Sequence, residues 1–171
     1  MANAARTAMA GLTMVMILAA ATETHAAGRV RAADPGLAAL IIETAGRSAT
    51  FRQMLEAIDA SDGLVYVVRG RCGHGVRARL DFLVVAGPNR FLRITLDDRG
   101  TDAQAMVSLG HELRHVLEVL AEPAVISRAT MYHFYHGMAM RRGKGFETSA
   151  AIAAGDTVRE DLRKARLADG K

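Results

Sequence analysis

His111 and His115 stand four residues apart in the stretch LGHELRHVLEVLA, 109–121, with Glu112 between them. On a helix each residue advances by about 100°, so with His111 at zero, His115 falls at about 40° and Glu112 at about 100°. The two imidazoles then share a face, one turn apart, and can reach one metal ion. The carboxylate sits beside them, placed to touch a metal-bound water rather than the metal. This is the physical content of an H-E-x-x-H string: two nitrogen ligands for zinc and a general base. A solvated helix face would carry the same residue types. Met106, Leu109, Leu113, Val116, Leu117 and Leu120 gather on the opposite side as a core stripe, and Arg114 and Glu118 are spaced as an i,i+4 surface pair. The wheel alone does not separate the two readings.

Two features of the residues favour the metal. Only six histidines occur in 171 residues, and two of them hold this spacing. The helix also follows a β-rich region, a turn and a cap, which places the pair in mid-helix. Asp97-Asp98-Arg99-Gly100 is the turn, Thr101 or Asp102 the cap, and Pro123 lies just past the end.

The elements that must hold this helix are readable in outline. Asp34-Pro35 starts a first helix with Leu37, Leu40 and Ile41 on its apolar face, closed by Gly46. Ser48 caps a second, with Phe51, Met54, Leu55 and Ile58 inward. After Asp62-Gly63 the period changes. LVYVV (64–68), ARLDFLVVA (78–86) and RFLRITL (90–96) read as three strands, the first two separated by the glycine-rich loop RGRCGHGVR. Gly87-Pro88-Asn89 is short enough to make the last two an antiparallel hairpin. Helices follow over about 102–121, 127–140 and 146–167, with RRGKG (141–145) a basic loop and a possible break at Gly155. The expectation is a single α+β domain: a small antiparallel sheet of about three strands with flanking helices.

The N-terminus reads differently. One early charge, Arg6, precedes an apolar run from about Ala8 to Ala21, and Thr24-His25-Ala26 places small residues at a cleavage site. The run is shorter than the roughly 20 residues that span a bilayer. The pattern is that of a signal peptide over 1–26, cut near Ala26, with a mature domain over 27–171 that is periplasmic or secreted and carries no transmembrane segment. A formal charge of +4 with the arginines dispersed does not make a nucleic-acid footprint. Cys72 is the one cysteine, so no internal disulfide forms.

TFRQMLEAIDASDGLVYV, the glycine-containing loop at Cys72, RFLRITL, LGHELRHVLEVLA and GFETSAAI together resemble the zincin superfamily of metallopeptidases. The likeness is narrower to a small exported bacterial group of gluzincin type with little assigned function. It covers most of the mature domain. Position 118 is Glu and position 121 Ala, so the longer metzincin string is absent. Zincin motifs usually avoid a charge where Arg114 stands.

A gluzincin-like site takes its third ligand from a later helix, and the resemblance makes Glu147 the candidate, at the start of a helix rich in small residues. A first-turn acid favoured by the helix dipole is the plain alternative. Glu118 is the rival ligand. It shares the histidine face, but at about 10 Å along the axis from His111 it better suits a role orienting His115. Tyr132, His133, Tyr135 and His136, in MYHFYHG, are candidates for stabilising an oxyanion, or the stretch is an amphipathic helix with its aromatics in the core.

The resemblance implies an exported zinc metallopeptidase that hydrolyses peptide bonds of a peptide or protein substrate. Zn2+ would sit on His111, His115 and Glu147, with Glu112 as general base. An extended peptide would add to the edge of the sheet at 64–68 or 90–96. The alternatives are a catalytically silent zincin-like binding module of the cell envelope, and a plain exported scaffold without metal.

Overall fold

The structure, a computed structural model, describes residues 28–138, 140–142 and 145–170. The expected signal peptide and its cleavage point lie outside the described residues.

Helices begin where short polar side chains can take up orphan backbone donors. Asp34 accepts from the Leu37 amide and opens α1 (Pro35–Arg47), with Pro35 at its first position. Ser48 closes α1 and accepts from the Phe51 amide to open α2 (Ala49–Asp59). Thr101 and Gln104 form a reciprocal capping box at the start of α3 (Asp102–Ala121). The remaining helices are α4 (Arg128–Met138) and α5 (Ser149–Asp169).

The sheet has four strands, not three, and it is mixed rather than antiparallel. Its order is β1-β2-β4-β3, from Val30–Ala32, Gly63–Gly70, Asn89–Asp97 and Ala78–Ala86 respectively. β1 runs parallel to β2, β2 parallel to β4, and β3 antiparallel to β4. The expected hairpin is present, with Ala86 opposite Asn89 and Gly87 at a φ of 57°, where a side chain would be strained. The 71–77 loop carries the chain past the place of β4 to the far edge, and β4 then fills the gap beside β2. β1 has only three residues, too short to show an alternating pattern. Its order comes from β2, through pairs such as Val30 with Val65 and the Ala33 amide on the Val67 carbonyl.

A second small sheet pairs β5 (Met140–Arg142) antiparallel with β6 (Gly145–Glu147), in the region where the sequence predicts a basic loop over 141–145. The last helix therefore starts at Ser149 rather than Phe146, and it runs through Gly155 without a break.

Val65, Val67, Phe82, Leu92, Ile94 and Leu96 form the inner face of the large sheet, none more than 1% exposed. Leu109, Leu113 and Val116 of α3 and Leu37, Phe51 and Ile58 of α1 and α2 pack in the same core. α5 lies across α3 at close range. A Cβ on Gly110 would stand 2.8 Å from a Val158 methyl, and one on Gly155 would stand 3.3 Å from the His111 Cβ. Glycine is needed where two helix backbones approach this closely.

The far end of α3 is fixed by an arginine from the sheet. Arg90 donates to the carbonyls of Val119, Leu120 and Glu122 at 2.9, 2.7 and 2.9 Å and clasps Asp62 through Nε and Nη2 at 2.8 Å. Carbonyls at a helix end lack the usual donor four residues on; a buried guanidinium supplies one here, beside the Glu122 amide on Val119 at 3.3 Å and the Val125 amide on Glu122 at 3.1 Å.

Candidate metal centre

The polar face of α3 is not solvated. Glu112, His115 and Glu118 are 7, 5 and 8% exposed, so this helix is buried on both sides. Buried ionisable groups need partners: His115 and Glu118 have each other, Glu118 also has Thr148 and Tyr135, and Glu112 lies in the field of His115 and His111.

His111, His115 and Glu147 each offer a ligand atom, and those atoms lie within 4.8 Å of one another. His111 Nε2 is 3.0 Å from Glu147 Oε2. Ligands at about 2.0–2.1 Å around one tetrahedral zinc stand about 3.3 Å apart. The closest pair is thus near its liganded separation, and small side-chain rotations would close the rest. Two nitrogens and one carboxylate oxygen are a usual donor set for a site that keeps its fourth position for water. The sequence expectation that Glu147 begins a helix is not met. Glu147 ends β6, and Thr148 takes the cap position of α5.

His115 is oriented from behind. Its Nδ1 is 2.9 Å from Glu118 Oε2, and a carboxylate can only accept there, so the proton sits on Nδ1 and Nε2 keeps its lone pair. Glu118 is fully engaged in this role. Oε1 accepts from the Thr148 hydroxyl at 2.7 Å, and Tyr135 Oη reaches Oε2 at 3.4 Å. Arg114 Nε lies 3.8 Å from Oε1, too far to hydrogen-bond, and has no hydrogen-bond partner among the described residues.

The charges of the site push one another. Burial raises the Glu112 carboxyl from its ordinary 4.5 to about 7, against the pull of His115 and His111 and with the help of Glu147 and Asp81. Burial disfavours the charged form of His111, but the Glu147 hydrogen bond and the charges of Glu112 and Glu147 outweigh it and raise its pKa. Burial likewise opposes the Glu118 charge, and the hydrogen bonds from His115 and Thr148 reverse that, holding it below its ordinary value.

The four aromatic candidates separate. Tyr135 is buried, its hydroxyl donating to the His115 carbonyl at 3.0 Å and its ring edge-on to His115 at 5.3 Å. Burial holds its phenol well above the ordinary range, and its proton is engaged by the His115 carbonyl. Tyr132, His133 and His136 are exposed, packed on one another and, for Tyr132 and His136, on Phe146. Neither of these histidines joins the ligand group. Cys72 is buried, donates to the Thr95 carbonyl at 3.3 Å, and has its thiol pushed up by burial first and by Asp97 next.

Thr148 and Asp81 were not foreseen as parts of this site. Thr148 was visible as a hydroxyl residue before an alanine-rich helix, the ordinary cap signal. Nothing local marks Asp81.

Comparison with known proteins finds no matching family model, no matching curated protein and no matching solved structure. The functional reading rests on the geometry. Among the described residues no helix is long and apolar enough to cross a membrane.

Proposed function

We propose that the chain is a zincin-like zinc hydrolase acting on peptide bonds, with His111, His115 and Glu147 as ligands and Glu112 as general base. One observation carries the reading: three ligand atoms from two distant segments converge within 4.8 Å beside a buried carboxyl whose pKa is about 7.

A zinc ion there would polarise a carbonyl and make a water molecule acidic near neutral pH. The chain's own groups supply the rest. Glu112, its carboxyl raised to about 7 by burial in the metal-free site, would be the group that holds a proton beside the metal and passes it to a leaving amine. Glu118 keeps His115 in the tautomer that presents Nε2. Glu112 is itself only 7% exposed, and in that dry setting its electrostatic interactions are strengthened.

The edge for an extended substrate differs from the sequence expectation. β2 and β4, the strands named for it, are both interior. The edge beside β4 is β3, whose Asp81 is felt by Glu112 and whose Leu83, Val84 and Val85 are exposed next to a bulge. Strand addition there would leave backbone hydrogen bonds to hold the peptide. Export to the periplasm or exterior, with cleavage near Ala26, belongs to the same proposal.

Zinc content of the purified protein tests it, alongside His115→Ala and Glu147→Ala, with cleavage of an unfolded protein substrate as the second readout. One zinc per chain, lost in both variants, with cleavage abolished by Glu112→Gln, supports the enzyme. Bound zinc without cleavage assigns the silent binding module instead. No zinc after reconstitution overturns both.

A further inference from the structure

The proposed metal site draws its ligands from α3 and from the junction of β6 and α5, with Glu147 lying 32 positions after His115. Their relative position must therefore be fixed by something other than the chain. Thr148 follows Glu147 directly. Its hydroxyl oxygen accepts from the Ala151 amide at 3.0 Å, capping α5, and donates its proton to Glu118 Oε1 at 2.7 Å. A hydroxyl has one proton and two lone pairs, so both bonds can be made at once. Glu118 spends its other oxygen on His115 Nδ1. The path from one ligand to another is then continuous: His115, Glu118, Thr148, Glu147. Every side chain linking the two is buried, with Thr148 at 7% and Glu118 at 8% exposure. In this dry setting hydrogen bonds are strong and directional. Arg114 does not compete for Oε1, since its Nε stands 3.8 Å away.

We propose that Thr148 is a positioning residue of the metal centre: its hydroxyl, acting through Glu118, sets the distance between the histidine pair and Glu147. The inference rests on the metal-centre reading and deepens it. A threonine that merely capped α5 would stabilise the fold and leave the zinc affinity of the folded chain unmoved.

The experiment measures the zinc dissociation constant of the full chain by competition with a chromophoric chelator, and the melting temperature of the metal-free form. Thr148→Ser keeps both bonds and should match the parent within about twofold. Thr148→Val should weaken zinc by roughly ten- to a hundredfold, the usual loss when a group behind a ligand is removed. Thr148→Gly keeps a tolerated cap and has no proton to give Glu118, so it should fold and still lose zinc affinity; it stands in if the valine variant does not fold. In a Glu118→Gln background the valine substitution should add little further loss. Parent-like affinity in the valine or glycine variant, or a full additional loss in the Glu118→Gln background, overturns the proposal while leaving the metal centre intact. Failure of the parent chain to bind zinc overturns the metal centre and the positioning role with it.

Discussion

Glu112→Gln is the most informative single change, because its effect on the metal-free protein can be worked out before any activity is known. Glu112 titrates at about 7 when folded against an ordinary 4.5, with burial as the main cause. An acid with a raised folded pKa binds its proton more tightly in the native state. The native state therefore carries no cost from this group below about pH 4.5. The cost grows from there to about pH 7 and is constant above it. At 1.36 kcal/mol for each pH unit the full cost is about 3 kcal/mol. Glutamine keeps the shape and polarity without the charge. Urea unfolding of the metal-stripped parent and the variant, from pH 4.5 to 8, reads the difference directly. The variant should gain about 3 kcal/mol on the parent across that window, with both alike at the acid end. Taking the difference cancels groups not coupled to Glu112, such as Glu118, whose lowered pKa gives the opposite slope at acid pH, while His111, raised in part by the Glu112 charge, moves with it. A difference that stays flat with pH would show that Glu112 is not desolvated in the native state, and the argument for a base poised near neutrality would go with it.

Other perturbations test the frame around the site. Arg90→Met should cost about 3 kcal/mol or more in denaturant unfolding, because the carbonyls of Val119, Leu120 and Glu122 lose their buried donor. A loss under 1 kcal/mol would mean that water caps the helix equally well. Gly110→Ala should destabilise by about 1–3 kcal/mol through the Val158 contact. Adding Val158→Ala should recover part of that loss, and a simple sum of the two losses would contradict the packing argument. Cys72 should react with a thiol reagent only after unfolding, since it is buried with its thiol pKa raised; rapid modification of the native protein at pH 7 would contradict its placement.

What the sequence made legible follows the range of the signal. Asp34-Pro35, Ser48 and Thr101 announce helix starts within three residues of themselves, and each was read correctly. So was the β3–β4 hairpin, whose connection is almost as short. β1 was invisible because three residues show no period, and the parallel pairing of β2 with β4 was invisible because it spans 27 positions of register offset and an intervening strand. The site divides in the same way. The i,i+4 spacing of His111 and His115 is a local fact. The burial of their face is not, since a helical wheel cannot say what packs against it. Glu147 was identifiable by its chemistry as a candidate, yet its place at the end of a strand was hidden in a glycine-broken basic segment that reads as loop.

Arg90 bears on how portable the proposed centre is. The shortest continuous piece holding all three ligand candidates runs from the start of α3 to α5. Such a piece would carry every donor atom of the site and still lack the side chain that terminates α3, because that terminator lies in β4 and is made earlier in the chain. On the ribosome the arginine is synthesised before the helix it closes. A transplanted 102–169 fragment would have to find a new stop for α3, whereas a graft that brings β4 and Asp62 along would inherit one. The unit of reuse is therefore the helix together with its sheet, not the ligand-bearing segment alone.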